Sequence, residues 1–152
     1  MRLNGRQIFP EGYEAMANLQ KVVVNSGIDS KLLMLVVTRA SQINGCAYCL
    51  DMHTKDAIAI GENPQRLYVL EAWRETPFYS EKERAALAWC ESLTLISQTG
   101  APDETYEKVE KLFSPKQIMA LTFAIVAING WNRLAISQRY DVGGYVSHLK
   151  SE

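Results

Sequence analysis

Cys46, Cys49 and His53 fall within eight positions of one another, directly after the helix-breaking pair Asn44-Gly45. Each residue of a helix turns by about 100°, so relative to Cys46 the other two sit at about 300° and about 340°, and all three share one face. A free thiol ionises near pH 8.5, and only its thiolate is a nucleophile. Two features lower that value here. A helix opens near Cys46, and its first turn favours an anion through unpaired N–H groups and the aligned peptide dipoles. His53 lies one turn beyond Cys49 and two beyond Cys46, so as a general base it acts mainly on Cys49.

The second cysteine sets the type of reaction. Cα atoms three apart on a helix are separated by about 5 Å, inside the range of about 4.4–6.8 Å that a disulfide spans. A sulfenic acid on one sulfur is therefore trapped by the other, which prevents irreversible over-oxidation. Other readings of the pair compete with this one. Two cysteines near a helix start also serve as small buried hydrophobes. A zinc site needs further ligands from His53, Cys90 or His148, and the chain has no second C-x-x-C. A thioredoxin-type site needs a preceding strand, and none is legible. No metal and no cofactor is expected.

The residues around the motif read more plainly. Cys90, in AALAWCESLTLI, reads as core, and His148, in the tail, is given no role. Tyr48 packs beside the cysteines or offers its hydroxyl to the site. Trp131-Asn132-Arg133 interrupts an apolar helix and reads as an interface or a buried ion pair in preference to a part in the pocket.

Helices must position this face, because start and stop signals recur while period-two alternation does not. Pro10 opens a helix to about Asn25. Asp29 or Ser30 caps a second, which Asn44-Gly45 ends. A third runs from near Cys46 to about Ile60. A fourth starts at Asn63-Pro64 and reaches about Trp73. Ser80 and Glu83 form a capping box for a fifth, through about Ile96. A sixth runs from Pro102 or Asp103 to near Phe113. Ser114, Pro115 and Gln117 open the last, to about Tyr140. The tail from Asp141 to Glu152 shows no pattern. The expected fold is all-α, one compact domain of about seven helices over residues 1–152.

Composition narrows the function. A chain of 152 residues buries roughly 68–70% of its unfolded surface and needs no disulfide staples. A net charge of −1 with no basic stripe argues against nucleic acid. Three cysteines, two of them three apart, suit a cytosolic redox or metal site better than a secreted framework. MRLNGRQIFPEG has no apolar core of the signal-peptide kind, so a cytoplasmic protein is expected. Ile118–Ile128 is apolar apart from Thr122, and eleven residues are too few to cross about 30 Å of hydrocarbon. It reads as a core or subunit-interface helix, with no membrane partner.

The stretch SQINGCAYCLDMHTKDA, Ser41–Ala57, resembles the alkylhydroperoxidase D-like members of the carboxymuconolactone decarboxylase family. ERAALAWCESLT and LTFAIVAINGWNRLAI look like the family's second half, so the likeness runs from about Gly12 to Tyr140. It implies an all-helical fold and homo-oligomers built from dimers or trimers, often hexamers. It also implies a thiol-dependent peroxidase that reduces organic hydroperoxides and is recycled by an external dithiol protein. By the resemblance Cys49 is the peroxidatic cysteine, Cys46 its disulfide partner and His53 the histidine of the proton relay. One position departs. The family's relay usually carries a glutamate twelve residues before the first cysteine, where this chain has Met34, which moves no proton. Glu71 or a water is a candidate substitute. Two other functions compete: a redox-sensing or oligomeric interaction protein without fast turnover, and a lactone decarboxylase-like enzyme, whose chemistry needs no dithiol.

Overall fold

The computed structural model describes residues 1–150, and its central helix is written by its two ends. Asp29 caps the start, its carboxylate accepting the Leu32 N–H at 2.8 Å. The end is Gly45, whose φ of +66° lies in the left-handed region that a side chain disfavours. There Gly45 N–H closes onto the Gln42 carbonyl and Cys46 N–H onto the Ser41 carbonyl, the paired bonds of a glycine-terminated helix. Between them Ser30–Asn44 buries Leu32, Leu33, Leu35, Val36, Val37 and Ala40. Most of this helix is enclosed because it packs against three others.

The full order is α1 (Gly5–Ile8), α2 (Pro10–Val24), α3 (Ser30–Asn44), α4 (Ala47–Ala59), α5 (Pro64–Tyr68), a 3₁₀ segment (Leu70–Glu75), α6 (Glu81–Thr94), α7 (Ile96–Thr99), α8 (Asp103–Leu112) and α9 (Pro115–Gln138). Among the described residues there is no strand. α3 touches α4, α6 and α9, while α2 lies along α9 and α8 along α6. Both expected capping boxes form, Ser80 with Glu83 at α6 and Ser114 with Gln117 at α9.

The expected helices are all present, with three differences of detail. The helix expected to reach Trp73 stops at Tyr68 and continues as the 3₁₀ segment. Leu67 of α5 and Leu70 and Trp73 of the 3₁₀ segment, which kinks at Ala72, all enter the smaller core cluster with Leu35 and Leu87. α6 ends at Thr94 rather than Ile96, and a four-residue α7 follows. The short α1, unforeseen, sits before Pro10, and its neighbourhood is tied down by the Arg2 N–H to the Gln138 carbonyl.

α9 shows how an apolar helix divides its faces. Ile118, Leu121, Ala124, Ile125 and Ile128 enter the core. Met119, Phe123 and Val126 stay about half-exposed. The apolar stretch Ile118–Ile128 lies within a 24-residue helix that is long and apolar enough to cross a membrane by length and composition alone. Its buried face packs into the main core beside Cys46, Cys49 and Cys90.

Candidate active site

The turn that ends α3 also starts α4. Cys46 is the residue after Gly45 and the N-cap of α4, so its backbone closes one helix while its side chain opens the next. The Cys49 N–H donates to Cys46 Sγ at 3.3 Å, giving that sulfur a free amide of the first turn. Cys46 and Cys49 are joined as a disulfide, with Cα atoms 5.3 Å apart, as the helical spacing predicts. Both are buried, each 1% exposed.

α4 buries Cys49, His53, Asp56 and Ala57, a single stripe at helical spacing. Burial pushes the His53 imidazole down to about 4, against the pull of the Asp56 carboxylate one turn on. The ring is therefore neutral at physiological pH. Neither ring nitrogen has a hydrogen-bond partner among the described residues. In this disulfide state the imidazole holds no proton bridge to either sulfur and keeps its acceptor free.

A chain of amides, with the buried Asn132 at its centre and the half-buried Asn44 and Asn129 beside it, locks the turn from behind. The Asn44 side-chain amide donates to Asn132 Oδ1 at 2.8 Å and to Asn129 Oδ1 at 3.0 Å. Asn132, fully buried, donates to Ser41 Oγ at 3.1 Å, and Asn129 to Thr94 Oγ1 at 3.1 Å. This corrects one of the two readings of Trp131-Asn132-Arg133, the buried ion pair. Asn132 is part of an amide network rather than an ion pair, Arg133 is exposed and donates to Asn129, and Trp131 lies against Tyr13. An uncharged amide meets the need of α3's last turn without the desolvation cost of a buried ion.

The other expected residues sort as follows. Cys90 is fully buried, donates to the Val36 carbonyl at 3.3 Å, and has its thiol pushed up to about 12 by burial, so it belongs to the core. Tyr48 stacks edge-on against Tyr140, with ring centroids 5.2 Å apart, beside the cysteines. Met34 packs between the two core clusters. Glu71 is exposed on the 3₁₀ segment and does not bond His53. His148 is exposed.

One cavity of about 220 Å³ reaches the dithiol, lined by Cys46, Tyr48, Ala135, Ile136, Tyr140 and Val142, among others. Cys49 is not part of its wall. Sequence reasoning missed the carboxylate beside His53. Asp56 is 8% exposed and accepts from the Tyr145 hydroxyl at 2.8 Å and the Ser147 hydroxyl at 2.6 Å. Its position three residues after His53 was the available signal; its partners lie in a tail with no periodicity to read. Among the described residues no group of three or more His, Cys, Asp or Glu side chains gathers to hold a metal ion.

The chain is an all-helical bundle with a Cys46–Cys49 disulfide at a helix N-terminus and a buried histidine one turn on. Residues 10–92 match the carboxymuconolactone decarboxylase family, and the chain belongs to that family. It is 43% identical to the uncharacterized protein YdfG of Bacillus subtilis (strain 168) over 136 residues, 90% of this chain and 92% of that one. Its fold is similar to that of ATU0492 from Agrobacterium tumefaciens, a protein of unknown function whose name ties it to AhpD antioxidant defence. That match has a TM-score of 0.91 and 40% identity and covers 95% of this chain and 99% of the other. The debrominase Bmp8 has a similar fold at TM-score 0.77 and 21% identity, over 89% of this chain and 73% of its own. At that identity the likeness is one of fold alone.

Proposed function

We propose that the protein is a thiol-dependent peroxidase that reduces organic hydroperoxides by a Cys46–Cys49 dithiol/disulfide cycle. The observation that carries this reading is the disulfide at the start of α4 with a buried, neutral His53 one turn beyond Cys49. In the reduced protein His53 takes the Cys49 proton. The Cys49 thiolate attacks the outer peroxide oxygen: an S–O bond forms, the O–O bond breaks, and the alkoxide leaves with the proton held by His53. Cys46 then attacks the sulfenic sulfur, the S–S bond forms and water leaves. An external dithiol returns the pair to thiols, so one hydroperoxide and one dithiol become alcohol, water and a disulfide.

The cavity supports a direction for the last step. It opens on Cys46, so the incoming thiolate bonds Cys46 Sγ and Cys49 departs as thiolate on the His53 side. The exposed apolar stripe Met119, Phe123 and Val126 supports assembly into a homo-oligomer. A second reading, a redox sensor without fast turnover, is favoured by Met34 and by the unbonded His53. Steady-state consumption of a hydroperoxide with a supplied dithiol tests the first against the second. Sustained turnover supports the peroxidase, and one oxidation event per chain followed by silence supports the sensor.

A further inference from the structure

Residues 141–150 have no regular secondary structure, yet five hydrogen bonds tie them to a single element. Gly143 N–H donates to Asp51 Oδ2 at 3.2 Å. Lys55 Nζ donates to the Tyr145 carbonyl at 2.9 Å and to the Gly143 carbonyl at 3.4 Å. The Tyr145 and Ser147 hydroxyls both donate to Asp56 Oδ1. Asp51, Lys55 and Asp56 all project from α4, the helix that carries Cys49 and His53, and Asp51 pairs with Lys55 at 2.8 Å. A buried carboxylate that accepts from two hydroxyls is a charge-assisted anchor. Burial and the bond to Asp56 push the Tyr145 phenol up to about 12, so it remains a donor throughout the physiological range.

This strap begins as a wall of the cavity over Cys46. Val142 lines that cavity together with Tyr48 and Ile136. On one side of Val142, Tyr140 is held by a bond between its hydroxyl and that of Tyr13 at 2.8 Å. On the other side Gly143 is held by Asp51. Each residue spans at most about 3.6 Å of chain, so Val142 cannot swing clear while both ends are fixed. The space it bounds, about 220 Å³, is below the roughly 300–1,000 Å³ of ordinary small-molecule pockets.

We propose that Val142, held by the strap on Asp51, Lys55 and Asp56, is a specificity-determining wall of the thiol site that admits slender thiols to Cys46 and excludes branched ones. The inference rests on reading Cys46–Cys49 as a working dithiol pair. The step concerned is thiol–disulfide exchange. The incoming thiolate forms a bond to Cys46 Sγ, the Cys46–Cys49 bond breaks, and Cys49 leaves as thiolate and takes a proton. A second thiol then attacks the mixed disulfide, releasing the reagent as its own disulfide and Cys46 as thiolate.

The test uses the oxidised full-length protein and two thiols, 2-mercaptoethanol and the branched penicillamine. The rate of Cys46–Cys49 reduction by each is divided by that thiol's rate with oxidised glutathione. The wild type should prefer the slender thiol. Val142→Ala and the double variant Tyr145→Phe/Ser147→Ala should shrink that preference by at least about tenfold, the scale of discrimination a methylene provides in an apolar pocket, by speeding penicillamine. Val142→Trp should slow both thiols. A preference unchanged in all variants overturns the proposal, as does a wild type that neither thiol reduces. Val142 is half-exposed, so its variants keep the test decisive even if the double variant fails to fold. The assay contains no hydroperoxide. A protein that shows the preference but consumes no hydroperoxide keeps the wall and loses the peroxidase reading.

Discussion

At the scale of residues, the site divides two sources of activation between two sulfurs. Cys46, the N-cap, accepts the Cys49 N–H, and Cys49 has His53 one turn away. This predicts separable phenotypes. Cys49→Ser should abolish sulfenic acid formation. Cys46→Ser should leave the first oxidation intact and block disulfide closure. His53→Ala should slow the first step by about 10²–10⁴-fold, the usual worth of general acid–base catalysis, in a stopped-flow single turnover. Met34→Glu should raise that rate, since it restores a carboxylate on the helix that faces α4. If Cys46→Ser removes the first oxidation, the two roles are reversed. His53 also makes a stability prediction. It is held down to about 4 in the folded chain, against an ordinary value near 6.5 in the unfolded one. The unfolded state therefore binds more protons between those values. The stabilisation is complete above about pH 6.5 and is lost as pH falls toward 4, by on the order of 3 kcal/mol. Denaturant midpoints measured across that window should fall with acidity in the wild type and flatten in His53→Gln.

Elements hold this geometry through their ends. Gly45 has nothing within reach of an added Cβ, so its requirement is its left-handed φ alone. Gly45→Ala should cost about 1–2 kcal/mol in denaturant unfolding. Asn132→Ala leaves Asn44 and Ser41 short of partners in a buried place, for roughly 2–3 kcal/mol. Smaller losses from both would contradict the role given to the turn. The starts of α3, α6 and α9 and the stops of α3 and α4 are legible in the sequence because capping is local chemistry: a carboxylate or hydroxyl three residues before the amide it binds, and a glycine, Gly45 or Gly61, where φ turns positive. The break after Tyr68 is not legible in the same way, since Leu67, Leu70 and Trp73 meet a core assembled from the distant residues Leu35, Tyr79 and Leu87. The tail is least legible. Gly143, Tyr145 and Ser147 are ordered by Asp51 and Asp56 some ninety positions earlier, and no local pattern announces that. For the same reason the dithiol and His53 stand out in the sequence while Asp56 and its partners do not.

At the scale of the molecule, a core built on α3, α6 and α9 encloses the dithiol, and α9 leaves Met119, Phe123 and Val126 facing outward. If that stripe is an interface between copies, light scattering at micromolar concentration should report an oligomer, and Phe123→Glu should dissociate it without loss of helicity. A monomeric wild type would contradict the assembly. Both sulfurs are buried and joined to each other, and in the proposed cycle oxidation of Cys49 ends in the bond to Cys46. The most direct test is a single turnover of the fully reduced protein with an organic hydroperoxide, following alcohol release and thiol loss together. The expected result is one alcohol and two lost thiols per chain, with peptide mapping that places the new bond between Cys46 and Cys49, and no alcohol from Cys49→Ser above the uncatalysed rate. Alcohol released equally fast by Cys49→Ser, or a disulfide that involves Cys90, would contradict it.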